Sequence, residues 1–513
     1  MFSFFSLCTG SALPHRSLIM ADFNCGLNAP FVRGWRQLFP GLVALLSCLL
    51  APAASAAVWT IDPFITLSTS YADNVTLAAK GQEQDDMVLG LSPGVSVRAE
   101  GHELHLLANY GFEQLLYAND SARNYSRQLF QGEGNAVLVP DLIFLEASGR
   151  ISQQLVDPLG SAGLGDLAVS ENVGEVSTWT VSPSLRRRIG NLQFSVGINF
   201  DTVDYPGTLR DSYSREYRFE AGSNTLRKHL AEWRVGISRR EIFFSGDEAD
   251  QLYETLSGIF RYHLNPDWSI ETNAGYVRNN FQYDPLVANS PEGATWTVGV
   301  LWTPNPRTTA SAGVGENYFG STHYANIEHR SRFNTFQYSY TEDISSSRQL
   351  QVEELHQTRT DSTGMPILDP ATGKPSELDL LIVSQTTEVF VGKRNKLSWE
   401  FRSMHVSFGA DAYHESRHLQ SSGGTETVAG QGVNAGWHPS GRTDFLASYS
   451  KQTADFIIGR EDIYRDIKLE ASRHFNPKVI GALDFLRNAR QSSASAITEY
   501  VNHVVTASVR IQF

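Results

Sequence analysis

The 513-residue sequence predicts an all-β chain: one transmembrane antiparallel β-barrel with an even number of strands, about 22, the lower bracket being about 16 to 20. Three observations carry this expectation. Segments of about 10–15 residues alternate apolar and polar side chains, longer than usual soluble strands and right for a tilted membrane strand. Trp, Tyr and Phe cluster at segment ends, at Trp268, Trp296, Trp302, Tyr318, Trp399, Tyr413, Trp437 and Tyr449, as aromatic girdles do. The connections between segments are alternately tight and long.

Taken in order, the chain opens on an export signal. Arg33 and Arg36 precede an apolar run, Leu38 to Leu50, that ends in Ala54-Ser55-Ala56, an A-x-A cleavage site. The run falls short of the roughly 18 residues that a spanning helix needs. Residues 1–56 therefore read as presequence and 57–513 as barrel, with Met20 as a second candidate start and 1–19 untranslated. Lipidation at Cys48 is the lesser reading of the same run. All three cysteines (Cys8, Cys25, Cys48) lie in the presequence, which leaves the remainder without disulfides or cysteine-held metal. Removing Arg16, Arg33, Arg36 and Asp22 moves the net charge from −13 to −15. So acidic a chain is a poor nucleic-acid partner. After residue 57 no apolar run is long enough for a spanning helix, so insertion must be by closed barrel. No linker divides the remaining residues, and no plug-sized domain precedes the first candidate strand, Trp59–Tyr71.

The clearest strand, Leu192–Asp201, sets Leu192, Phe194, Val196, Ile198 and Phe200 against Gln193, Ser195, Gly197, Asn199 and Asp201. Trp233, Val235 and Ile237 alternate with Glu232, Arg234 and Gly236; Trp268, Ile270 and Thr272 with Glu271 and Asn273. Trp296, Val298, Val300 and Trp302 repeat the pattern. Leu397, Trp399 and Phe401 lose phase to Met404, Val406 and Phe408, which predicts a bulge near Ser403. Tight turns are expected at Pro140, Arg188–Asn191, Pro266, Pro304–Pro306, Lys393–Lys396, His438–Gly441 and Pro477, most of them pairing Pro with Asn, Asp or Ser. Long loops are expected at Val156–Val173, Tyr205–Ser212, Ser245–Gln251, Asp284–Gly293, Gly320–Glu328, Glu415–Thr427 and Ala489–Ile497. Short turns on one rim and long loops on the other predict a periplasmic and an external side. Even parity then requires a turn at Asp343–Ser347 and a strand at Gln349–Gln357, leaving Asp361–Asp379 as the longest external loop.

No nucleotide, phosphate-loop or zinc-protease motif occurs, and neither cofactor nor metal is expected. His102-Glu-Leu-His105 reads as rim decoration, Asp369–Lys374 as a solvated turn, and Arg186–Arg188 as solvated charge with lipid headgroups as the alternative. Gln193, Asn199, Asp201, Glu232, Arg234, Glu271 and Asn273 are the candidate lumen-lining residues, because they share the polar face. No catalytic residue is singled out. A non-enzymatic pore or structural barrel is the expectation; a surface hydrolase of lipase or protease type, a general diffusion porin and a soluble periplasmic β-protein are the alternatives.

The last strand, with Val505, Ala507, Val509, Ile511 and Phe513 on one face, resembles the closing strand of bacterial outer-membrane barrels. That resemblance implies recognition of Phe513, Ile511 and Val509 by the barrel-assembly machinery. The opening stretch Trp59–Val75, with Pro63 and the Tyr71, Asp73, Asn74 motif, resembles the PEP-CTERM system-associated outer membrane proteins. That family implies an outer-membrane location, surroundings of lipid bilayer and lipopolysaccharide, a link to exopolysaccharide export with polysaccharide as a partner, and no catalytic residues.

Overall fold

The computed structural model describes residues 57–155, 173–205, 210–223, 230–246, 249–286, 290–354, 388–494 and 499–513. The expectations for the presequence, the plug, most of the Val156–Val173 loop and the Asp361–Asp379 loop lie outside them.

Twenty-two strands form one antiparallel sheet that closes on itself. The first, β1 (Val58–Ala72), pairs both with β2 (Asp86–Glu100) and with the last, β22 (Tyr500–Gln512). Strands run from 10 to 17 residues, and both β1's start and β22's end lie on the rim with the tighter turns. Alternation puts polar side chains inside and apolar ones outside. Around the ring Leu67, Val235, Val298, Leu397, Val433 and Val509 are all exposed outward, the arrangement of a lipid-facing belt. Six of the nine tryptophans (Trp59, Trp233, Trp268, Trp302, Trp399, Trp437) sit outward near the tight-turn rim. Trp268 and Trp302 stack at 5.7 Å across β11 (Trp268–Asn280) and β12 (Glu292–Asn305). Two of the expected girdle residues are elsewhere: Tyr318 is in a turn with its hydroxyl buried, and Tyr413 faces inward. The chain is an outer-membrane β-barrel, and no helix among the described residues is long and apolar enough to cross a membrane.

The Pro turns have a shared mechanism. In Asn265-Pro-Asp267, Asn305-Pro-Arg307 and Asn476-Pro-Lys478, the Asn Oδ1 accepts from the backbone N–H two residues on, at 2.8–2.9 Å. The side chain thus closes a turn in which Pro supplies the backbone angle. Register shifts sit beside the turns at Trp302/Asn305, Trp437/Ser440, His474/Asn476 and Val137/Val139. Each bulge tightens the local twist next to a tight hairpin.

Seven sequence expectations are corrected between residues 320 and 497. Gly320–Glu328 is a strand, β14 (Gly320–Arg330), reached from β13 (Thr308–Asn317) by the two-residue turn Tyr318-Phe319. The expected turn at Asp343–Ser347 is mostly strand, because β15 runs Asn334–Ser345. The expected strand at Gln349–Gln357 is a short helix, α1 (Ser347–Glu354), whose first turn is capped by Ser346 Oγ accepting from Gln349 N at 3.3 Å. Lys393–Lys396 lies inside β16 (Phe390–Arg402), and the expected bulge at Ser403 is the turn into β17 (Val406–Leu419). The loops expected at Glu415–Thr427 and Ala489–Ile497 are shorter, since β17, β18 (Thr425–Ser440) and β21 (Val479–Ser492) extend into them.

The seam between β1 and β22 is fastened above its ladder. His503 N donates to Asp73 Oδ1 and Asp73 N to His503 O, at 2.7 and 3.1 Å, while the Asp73 carboxylate also meets His503 Nδ1 at 2.7 Å. Asn74 is fully buried; its Nδ2 donates to Val501 O (3.1 Å) and Ala78 O (2.8 Å), and its Oδ1 accepts from Ala78 N at 2.9 Å. At the other end Phe513 N donates to Pro63 O at 2.9 Å. The Asp73-Asn74 pair noted in the sequence is therefore a clasp. Asn74→Ala strands several backbone groups and is expected to cost about 1–3 kcal/mol. Heat-modifiable gel mobility should show the barrel opening at a lower temperature; an unchanged transition would remove the clasp role.

Candidate functional site

Two zones divide the interior. In the half nearer the tight turns, inward side chains are polar and half-exposed. Arg261 on β10 (Gln251–His263) reaches Glu271 on β11 at 2.5 Å and Glu232 on β9 (Ala231–Phe244) at 3.7 Å. Asn273 donates to Thr297 Oγ1 at 2.9 Å. Tyr324 lies flat over Gly299 and Gly313, where any larger residue would collide with its ring.

All seven lumen candidates face inward, but they do not form one cluster. Glu232, Arg234, Glu271 and Asn273 lie together on β9–β11. Gln193 sits at the lower end of β7 (Leu192–Asp204), opposite Arg188 of β6 (Val173–Ile189). Asn199 and Asp201 lie higher on β7, Asn199 accepting from Ser182 Oγ at 2.5 Å. The lower wall also brings Ser269 Oγ to 2.8 Å from His263 Nδ1, with His263 Nε2 3.3 Å from Glu232. That sequence of groups has the order of a hydrolytic triad. Ser269 is only 5% exposed, however, and its hydroxyl is engaged across the β10–β11 ladder with His263. Among the described residues no three metal-ligating side chains converge.

The upper zone is dry. Ile242, Tyr253, Phe281 and Val389 form a buried apolar cluster with Phe244, Tyr283 and Ile344 around it. These residues come from the upper ends of β9, β10 and β11 on one side and of β15 and β16 on the other, strands four or more places apart in the ring. The short β13 and β14 allow this, because β14 pairs with β15 only up to Tyr340. Beyond it the upper ends of β15 and β16 lean inward. A round ring of 22 strands would be roughly 44 Å across, at about 4.8 Å spacing and 40° tilt. Yet Arg348, three residues past the end of β15, reaches β7; three residues span at most about 10 Å. The upper lumen is bridged.

The bridge ends in a polar latch. Arg348 Nη2 pairs with the Asp201 carboxylate, and Arg348 Nε donates to Ser212 Oγ at 2.7 Å. Asp201 also accepts from Ser214 Oγ at 2.6 Å and from Asn199 Nδ2 at 3.3 Å. Arg348 is 4% and Asp201 2% exposed, so each is the other's charge compensation. Next to them Glu216 holds Arg240 (2.8 Å) and Arg218 (2.9 Å). A second strap crosses the same rim, where Asp284 N donates to Gln420 O at 2.9 Å. Similar buried pairs line the upper wall elsewhere: Glu113 with Arg127, Glu415 with Arg394 and Arg417, and Asp462 with Arg460 and Arg490. Sequence reasoning missed all of these. Strand parity alone locates Glu216 and Arg240, whereas Arg348 carries no strand signal, only the Ser345-Ser346-Ser347 run that caps α1.

Arg348→Ala leaves Asp201 buried with hydroxyl and amide donors alone. Losing one partner of a buried pair costs about 3 kcal/mol, or on the order of 100-fold in local opening. Amide exchange at Leu350, which donates to Ser346 O, is expected to quicken accordingly; unchanged protection would show that the latch does not hold α1.

No protein-family model and no curated protein matches this sequence. Among solved structures the chain is similar to the siderophore receptor PirA from Pseudomonas aeruginosa, at 10% identity and a TM-score of 0.45, covering 88% of this chain and 80% of that one. It is similar to PirA from Acinetobacter baumannii at 8% identity and a TM-score of 0.49, with 88% and 81% covered. The FrpB iron transporter from Neisseria meningitidis matches at 9% identity and 0.49, again over 88% and 81%.

Proposed function

We propose that this outer-membrane barrel is non-enzymatic and passes a polar solute along its charged lower wall once the upper bridge is displaced. The observation that carries the reading is the contrast between the zones: a wet, polar lower lumen beneath a dry bridge fastened through Arg348 and Asp201. An always-open diffusion pore is the poorer match, because inward strand ends and α1 occupy the upper passage. The solute class follows from the resemblance to exopolysaccharide-linked barrels. A wall of Arg–Glu pairs with Tyr324 flat upon it suits such a solute, since sugars present hydroxyls to charges and C–H faces to rings.

The test is single-channel recording of the refolded full chain. Wild type is expected to conduct rarely, and Arg348→Ala to raise the open fraction by about tenfold. In the native host, deleting the gene is expected to reduce secreted polysaccharide. Equal conductance in both proteins would remove the latch from the transport reading. Hydrolysis of a lipid, peptide or polysaccharide that Ser269→Ala abolishes would replace the reading with the hydrolase alternative.

The same proposal includes assembly. Phe513, Ile511 and Val509 lie on β22's outward face, Phe513 being 66% exposed at the tight-turn rim, open to a partner before insertion. Deleting Phe513 is expected to lower the amount of barrel in the outer membrane while leaving the unfolding temperature of what does insert nearly unchanged. Normal membrane levels would overturn the signal role.

A further inference from the structure

The outer face of β19 (Thr443–Phe456), β20 (Arg460–Asn476), β21 and β22 carries basic residues where the apolar belt ends. Lys451 on β19 lies directly opposite Arg465 on β20, and Arg487 on β21 directly opposite His503 on β22. All four point away from the lumen, on the side of the longer loops. Below them Tyr449, Leu469 and Val505 are exposed apolar residues of the belt.

These charges are not compensated by the protein as others at the margin are. At a similar height on β8 (Ser212–Ser223) to β11, outward Arg215, Arg239 and Arg278 interleave with Glu241 and Glu254, in an ion-pair ladder with spacings of 2.6 to 3.8 Å. In contrast, Arg465 donates only to the neutral Gln491 Oε1, at 2.7 Å. Among the described residues neither Lys451 nor Arg487 has a carboxylate within ion-pair distance. His503 has Asp73. The outward acids Asp455 and Glu461 lie four residues along their strands from Lys451 and Arg465, about 13 Å away. Like charges set directly across a ladder repel, and more so where lipid excludes water. Such an arrangement calls for an anion from outside the chain.

We propose that this patch binds the phosphates of an outer-leaflet glycolipid that carries two of them. The inference rests on the outer-membrane reading and extends it to a lipid site. Three adjacent strands carry Lys451, Arg465 and Arg487, and with the two-residue stagger of Arg487 the outer two stand about 12 Å apart, too far for one phosphate to bridge and suited to a headgroup phosphorylated at both ends. The acyl chains of such a lipid would lie on the belt residues beneath, and the guanidinium forks of Arg465 and Arg487 match phosphate oxygens.

The test uses the refolded full chain in detergent, incubated with purified bis-phosphorylated lipid A, with its dephosphorylated form, or with phosphatidylglycerol, and read by native mass spectrometry. Wild type is expected to retain the bis-phosphorylated lipid about tenfold better than either other lipid. Replacing Lys451, Arg465 and Arg487 by Gln (K451Q/R465Q/R487Q) should abolish that preference, while R215Q/R239Q/R278Q should keep it. Heat-modifiable mobility reports separately whether each variant closes, so failure of the barrel reading is distinct from failure of the lipid site. If the triple variant does not close, Arg487→Gln alone should lower retention several-fold. Retention unchanged in the variant that folds would overturn the proposal. So would equal retention of all three lipids.

Discussion

Every backbone N–H and C=O in the hydrocarbon layer must find a partner within the protein, and here that demand is met by one closed ladder. The closure is a single seam, nine Cα pairs from Phe64↔Gln512 to Ala72↔Val504. That pairing joins residues more than 400 positions apart, so it is the last contact that chain order can supply and the one with the largest loop to close. Its ends are reinforced accordingly. Asp73 and Asn74 satisfy the backbone of Val501 and His503 after the ladder stops, and the Phe513 amide finishes it at the opposite rim. Without the seam, β1 and β22 would be unpaired edges in lipid, a cost that no side chain offsets.

Closure fixes the number of strands but not the cross-section. Short β13 and β14 lower one part of the rim, and the taller β15–β16 pair can then lean across the lumen. Apolar residues at the strand tops, such as Ile242, Tyr253, Phe281 and Val389, gain an inward partner they would lack in a round ring. Area burial favours the lean, and the Arg348–Asp201 pair gives it one register. The polar latch therefore contributes specificity more than net stability. A bridge held mostly by apolar contact with one ionic registration point is the kind of element that a ligand can displace.

Much of this architecture was legible in the chain. Period-two alternation marked β7, β9, β11 and β12 as strands, and Asn-Pro turns marked one rim. The even count near 22 was also reached, though partly through offsetting errors. β14, Gly-Ser-Thr-His-Tyr-Ala-Asn-Ile-Glu-His-Arg, has little apolar periodicity, and its turns at Tyr318-Phe319 and Ser331–Phe333 lack Pro. It was missed as a strand. The demand for parity then supplied a strand at Gln349–Gln357, where α1 lies. Lys393-Arg-Asn-Lys396 has the polar composition of a turn, yet it lies inside β16. Parity constrains a sum and not the terms, so it detects a missing strand without locating it. The latch was beyond reach because the proximity of Arg348 to Asp201 depends on the lean of β15, which no local pattern encodes.

The charges inside and outside the wall obey different conditions. Inside the upper lumen each buried cation meets an acid of the same chain: Arg348 with Asp201, Arg240 with Glu216, Arg417 with Glu415, Arg490 with Asp462. A dry interior has no other source of counter-charge, and an unpaired ion there would cost several kcal/mol, about 3–5 when a pair is broken. The outer margin has such a source, because lipid headgroups lie beside it. Compensation by the protein is complete on β8–β11, while on β19–β22 only His503 of the four basic residues has an acid. Since both patches stand at the border of the belt, solvent exposure cannot be the difference between them. The difference is composition: Glu241 and Glu254 stand on one arc where Gln491 and Ala489 stand on the other. An arc that keeps Lys451 across from Arg465 without an acid between them depends on its surroundings for neutrality, and so the membrane completes this part of the structure.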